Sequence, residues 1–176
     1  FRLVESFTVT ENIMLGRGGA AGRRSRHDAE ARVRQFGEEY GLDVDPSAPV
    51  WQLSVGERQR VEILKQLVRG ARVLILDEPT AVLAPQESER LFTAVRRMVS
   101  NGHAVVLVSH KMPEIMQHTD RVTVLRAGLN AGGGATASMT PEMMAAMMFG
   151  DTYSSSANSI DHREHVAGEP VLVVQS

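Results

Sequence analysis

The chain has 176 residues, 43% of them hydrophobic, enough for one ordinary domain with a sizeable core. Lys plus Arg number 19 and Asp plus Glu 21, for a net charge of -2, and this near balance argues against a dedicated nucleic-acid binder. There is no cysteine, which excludes thiol catalysis and cysteine-ligated metals, and no run approaches the roughly 20 apolar residues of a membrane span.

Taken in order, Thr8-Val9-Thr10-Glu11 fits a capping box and predicts a short helix through about Leu15. Gly16 to Gly22 reads as a flexible loop, and the basic run Arg23, Arg24, Arg26 as solvated. A second helix is expected from Arg26 to Tyr40, with Ala29, Val33, Phe36 and Tyr40 on one face and Gly41 as its stop. Ser54-Val55-Gly56-Glu57 is another capping box, followed by a stripe of Val61, Leu64, Leu67 and Val68 that ends at Gly70.

Val73 to Leu76 is a continuous apolar run and reads as a strand buried on both faces of a parallel sheet. Gln86 to Ser100 follows as a helix with Leu91, Phe92, Val95, Met98 and Val99 inward, and Ala104 to Val108 as a second fully buried strand. Strand, helix, strand in this order makes a βαβ unit and an α/β fold. Met112 to His118 predicts a short helix, Arg121 to Arg126 a strand and Gly132-Gly133-Gly134 a turn. Thr140-Pro141-Glu142 opens a last helix that Gly150 stops, with Met139, Met143, Met144, Met147 and Met148 at packing spacing. Residues 151 to about 168 read as a linker, and Val171 to Val174 as a strand. His27, His103, His118, His162 and His165 show no metal-ligand spacing and are assigned solvated or helix-end roles.

Four segments then fall in fixed order: Leu53-Ser54-Val55-Gly56-Glu57, Leu74 to Thr80 (LILDEPT), Ala81 to Pro85, and Leu107-Val108-Ser109-His110. Together they resemble the ATP-binding cassette family: its signature motif, its Walker B strand with catalytic acid, and its switch histidine. The resemblance covers residues 1–150 and implies a partial P-loop NTPase (RecA-like) core with parallel strands plus an α-helical subdomain. It implies Asp77 as the Mg²⁺ residue acting through water, since the ion is hard and prefers oxygen. It further implies Glu78 as the acid that polarises the attacking water and His110 as the group that senses the γ-phosphate. Ser54, Val55, Gly56 and Glu57 would meet ATP held by an opposing domain, at a helix N-terminus suited to anions.

The family pattern divides the chain into a helical subdomain (1–70), the later part of the catalytic core (71–150), a linker (151–168) and the start of a second cassette (169–176). Val55 stands where many members carry Gly, and Ala84 where many carry Asp. A phosphate loop ending in Gly-Lys-Ser/Thr is absent, because the two lysines, Lys65 and Lys111, do not follow Gly. With Phe1 in place of Met, the chain reads as a piece whose phosphate loop lies upstream and which is inactive alone. The stretches LSVGERQRVEILK and AVLAPQE resemble tandem-cassette importers of simple sugars and nucleosides, with nucleosides favoured. The expected partners are membrane permease subunits, a second cassette and, indirectly, a solute-binding protein, with no nucleic acid. The expected place is the inner, cytoplasmic face of the membrane, held peripherally. Two alternatives remain at this point: a non-enzymatic regulatory module, and a DNA-maintenance cassette ATPase, against which the lack of heptads weighs.

Overall fold

The computed structural model describes residues 3–16 and 26–150. The expectations placed on Arg23 and Arg24, on the linker and on the strand at Val171 lie outside the described residues. The chain divides into two compact units, Phe1–His118 and Thr119–Ser176.

The first unit runs α1 (Val9–Met14), α2 (Arg26–Tyr40), a 3-10 turn (Val50–Gln52), α3 (Val55–Val68), β1 (Val73–Asp77), α4 (Pro85–Ser100), β2 (Ala104–Val108) and α5 (Met112–His118). Its helix starts are chemically determined. Thr8 Oγ1 accepts from the Glu11 N–H at 3.2 Å while Glu11 Oε2 accepts from the Thr8 N–H at 2.8 Å, which satisfies two donors that the helix itself cannot. Buried Asn12 then stitches the preceding segment to α1: its Oδ1 accepts from Val4 N at 2.7 Å and its Nδ2 donates to Val4 O at 2.9 Å. Gly41 closes α2 at φ +70°, a left-handed geometry that glycine adopts freely.

The core is built by Val33 and Tyr40 of α2, Val61, Leu64, Leu67 and Val68 of α3, Leu74 of β1, and Leu91, Ala94 and Met98 of α4. On α4 the inward face is Leu91, Phe92, Ala94 and Met98, whereas Val99 is 46% exposed, contrary to the sequence expectation. The helical period places Val99 on the next face round from Met98. His103 is also no solvated side chain. Its Nδ1 donates to Ala71 O at 3.0 Å, and its Nε2 lies 3.1 Å from the Tyr40 hydroxyl, so it ties α2 to the approach to β1 and the start of β2.

β1 and β2 pair in parallel, Val73 with Ala104 through Asp77 with Val108. The expectation of strands buried on both faces is corrected here. Leu74, Leu76 and Val105 pack on the core, but on the other face Val73 is 60%, Ile75 70% and Val106 48% exposed. Side chains alternate between faces, and among the described residues the helices cover only one of them.

The second unit is a hairpin of β3 (Arg121–Arg126) and β4 (Leu129–Ala135), a 3-10 turn (Thr136–Ser138) and α6 (Pro141–Phe149). The glycines expected to form a turn lie instead inside β4, where Gly132, Gly133 and Gly134 pair with Val124, Thr123 and Val122. A Cβ on Gly133 would sit 2.9 Å from the Thr123 backbone, and the register shifts between Val124 and Leu125. These glycines therefore serve close strand approach at an irregular ladder. The turn is Ala127-Gly128, both with positive φ (51° and 78°), as a two-residue hairpin loop of type I′ requires. Thr140 caps α6, Met139 and Met144 are buried, and Met143 is exposed.

Replacing Leu64, fully buried at the centre of the core, with Ala is expected to lower unfolding free energy by about 2–5 kcal/mol. Val99→Ala is expected to change it by less than about 0.5 kcal/mol. Urea unfolding of the two variants checks this.

Candidate functional site

The parallel register fixes what emerges at the strand ends. Asp77 closes β1 opposite Val108, and the Glu78 N–H continues the ladder by one bond, to Val108 O at 2.8 Å. The backbone then turns through φ +45° at Glu78, while the neighbouring strand leads into Ser109 and His110. The two side chains meet: His110 Nδ1 lies 2.7 Å from Glu78 Oε1. Glu78 Oε2 is buried with no hydrogen-bond partner, a state rare enough in proteins to require a reason. Asp77 is exposed at the strand end.

Among the described residues no group of three or more His, Asp or Glu side chains gathers as a metal cage. Asp77, exposed at the end of β1, offers carboxylate oxygens of the hard kind that Mg²⁺ prefers.

Beyond Glu78 the chain is anchored by contacts that no sequence motif announces. The Ala81 N–H donates to Glu78 O at 3.2 Å. Buried Thr80 places its hydroxyl 2.8 Å from both Glu114 oxygens and 3.0 Å from Lys111 Nζ. The ammonium also donates to Thr80 O at 3.0 Å and lies 3.3 Å from Glu114 Oε1. A carboxylate only accepts and an ammonium only donates, so the hydroxyl donates to Glu114 and accepts from Lys111. This clasp joins the loop after β1 to the loop after β2. The one sequence signal for it is the Lys111–Glu114 spacing of three at the start of α5.

The second cluster is the N-terminus of α3. Ser54 Oγ accepts from the Glu57 N–H at 3.3 Å, and Glu57 Oε2 accepts from the Ser54 N–H at 2.8 Å. That backbone bond, more than any other contact, holds the Glu57 carboxyl below its ordinary range. The Arg58 N–H returns to Ser54 O at 2.9 Å, leaving the N–H groups of Val55 and Gly56 as the helix's orphan donors. The Ser54 hydroxyl, accepting in the cap, keeps its own hydrogen to donate. None of the described hydrogen bonds joins Ser54, Val55, Gly56 or Glu57 to Asp77, Glu78 or His110. A cleft of about 460 Å³ runs along β1, lined by Gln59, Glu62, Ile63 and Gln66 of α3 and by Asp77, Glu78 and Pro79.

Comparison with known proteins decides the family. A family model described as ABC transporter matches residues 1–81. The glucose import ATP-binding protein TsgD13 of Haloferax volcanii is 39% identical over 98% of this chain and 36% of its own length. The nucleoside import ATP-binding protein NupA of Lactococcus lactis is 41% identical over 88% of this chain and 31% of its own. The chain belongs to the ATP-binding cassette transporter family. It spans about a third of the length of these curated relatives. A solved metal-chelate type ABC transporter in an inward-facing conformation shares the cassette fold at a TM-score of 0.70 and 20% identity, over 84% of this chain and 60% of that one.

In this cassette the acid is held on a strained backbone. A non-glycine residue in the left-handed region is disfavoured by about 1–2 kcal/mol, and Glu78 occupies it beside a proline. Glu78→Gly is therefore expected to be more stable than Glu78→Ala by about 1 kcal/mol, since both lose the carboxylate and only Gly relieves the backbone. Thermal unfolding of the pair measures it.

Proposed function

We propose that this chain is part of the ATP-hydrolysing, energy-coupling subunit of an importer for a simple sugar or nucleoside. The observation that carries the reading is the state of Glu78: one carboxylate oxygen is held by His110, and the other is buried without a hydrogen-bond partner. An acceptor so placed, at the end of a parallel strand where ligands bind in open α/β sheets, is suited to take a hydrogen bond from an attacking water.

Hydrolysis of a phosphoanhydride needs mainly positioning and neutralised charge. Bound Mg²⁺, held by Asp77 through water, would neutralise phosphate oxygens. Glu78 orients the water, and His110 stands one strand over to contact the terminal phosphate. The orphan N–H groups of Val55 and Gly56, with the Ser54 hydroxyl, form an anion-binding helix start that serves nucleotide held by an opposing domain. Glu57 acts there by holding the cap. This reading takes residues 1–70 as the helical subdomain and 71–150 as the later catalytic core, with a second cassette following in the same polypeptide.

The relatives' names include glucose, nucleoside, ribose and arabinose import, and the proposed solute class follows from them. Permease subunits are the proposed membrane partners, a solute-binding protein acts indirectly through them, and the cytoplasmic membrane face is the proposed location. No helix among the described residues is long and apolar enough to cross a membrane.

In the full-length protein, Glu78→Gln is expected to lower ATP turnover by roughly 10²–10⁴-fold while MgATP still binds. Turnover at the wild-type rate would remove Glu78 from the chemistry. The 176 residues contain no Gly-Lys-Ser/Thr sequence, so MgATP titrated into this chain alone is expected to give no binding heat. Micromolar binding would mean that another loop cradles the phosphates.

A further inference from the structure

We propose that Gln59 is a positioning residue for the catalytic loop, through which the signature helix α3 holds the backbone that presents Glu78. The inference rests on the reading of Glu78 as the catalytic acid. Gln59 stands one turn into α3, behind Val55, and its Nε2 donates to the carbonyl of Pro79 at 2.8 Å. That carbonyl directly follows the left-handed Glu78. The proline ring already fixes φ of residue 79, so anchoring its carbonyl fixes ψ as well. The backbone on the C-terminal side of Glu78 is then held from α3.

The other backbone anchors of Glu78 come from elsewhere: its N–H bonds to Val108 O at 2.8 Å and its carbonyl accepts from Ala81 N at 3.2 Å. Gln59 supplies the bond that originates in the signature helix.

The far end of the same loop meets the same helix. Glu87 Oε2 accepts from the Ala84 N–H at 3.1 Å and so caps the start of α4. The Glu87 carboxylate packs against Gly56, where an added Cβ would sit 2.9 Å from the carboxyl carbon. One helix start, whose orphan N–H groups are placed for a phosphate, thus grips residues 79 and 84 on either side of the loop. A shift of α3 on engaging a phosphate is transmitted to the backbone of Glu78 with no intervening side chain other than Gln59. The site to which α3 contributes and the site to which Glu78 contributes are coupled by this bond.

The test is Gln59→Glu and Gln59→Met in the full-length protein, each close in shape to Gln and neither able to donate. The expected result is a fall in kcat of about tenfold, larger for Glu because its carboxylate faces a carbonyl. KM for ATP and MgATP affinity are expected to stay at wild-type values, and the thermal midpoint to fall by no more than about 4 °C. A wild-type kcat, a loss that tracks KM, or a larger fall in the midpoint would overturn the proposal. Glu78→Gln, assayed beside them, separates the two layers. An inactive Glu78→Gln with fully active Gln59 variants sinks only the role of Gln59, whereas an active Glu78→Gln sinks the reading beneath it.

Discussion

The site depends on the parallel register of β1 and β2. Asp77 lies opposite Val108, and the last ladder bond runs from the Glu78 N–H to Val108 O. That bond sets the two strand ends level, so the chain leaving β1 and the chain leaving β2 present Glu78 and His110 within 2.7 Å. A slip of one residue would break more than this contact. It would turn Leu74 and Leu76 away from the core and bring Val73 and Ile75 onto it, because side chains alternate with a period of two. Core packing against α3 and α4 therefore enforces the register, and the register in turn enforces the pairing of acid and imidazole.

Helix boundaries were legible in the sequence because their causes are local. The boxes Thr8–Glu11 and Ser54–Glu57 form as their spacing requires, and the stops at Gly41, Gly70 and Gly150 all take positive φ. The strands were legible as strands, but their faces were not. Val73, Ile75 and Val106 have the composition of a sheet covered on both sides, yet which face meets α4 is decided by packing partners far along the chain. The glycines of β4 misled for a related reason. A glycine run signals a turn when read alone, whereas here it serves the close approach of β3, a tertiary demand.

For the site the division is similar. Asp77, Glu78, His110 and the start of α3 stand out because each sits at an element boundary with a motif around it. Thr80, Lys111, Glu114 and Gln59 do not, since their meaning lies in contacts across 20 to 34 residues of sequence. Thr80 is a small polar side chain, and only its burial between Glu114 and Lys111 marks it as the clasp between the loops that follow β1 and β2. A buried hydroxyl with both its donor and its acceptor capacity used is costly to disturb. The clasp therefore limits how far His110, one residue before Lys111, can travel from Glu78.

The geometry of the acid and the imidazole constrains how they could act together. A carboxylate oxygen can only accept, so the hydrogen in the 2.7 Å contact sits on His110 Nδ1. With that hydrogen placed, the neutral ring has an acceptor at Nε2, which cannot hydrogen-bond a phosphate oxygen. To donate from Nδ1 to a phosphate under the proposed function, His110 must release Glu78 and turn that N–H toward the phosphate. A phosphate arriving beside the ring favours this, because its oxygens compete with the carboxylate for the same donor. That release frees Oε1 to join Oε2 as an acceptor for the water of the proposed function. In the described conformation the contact with His110 occupies Oε1 and leaves Oε2 as the acceptor of Glu78 that has no partner.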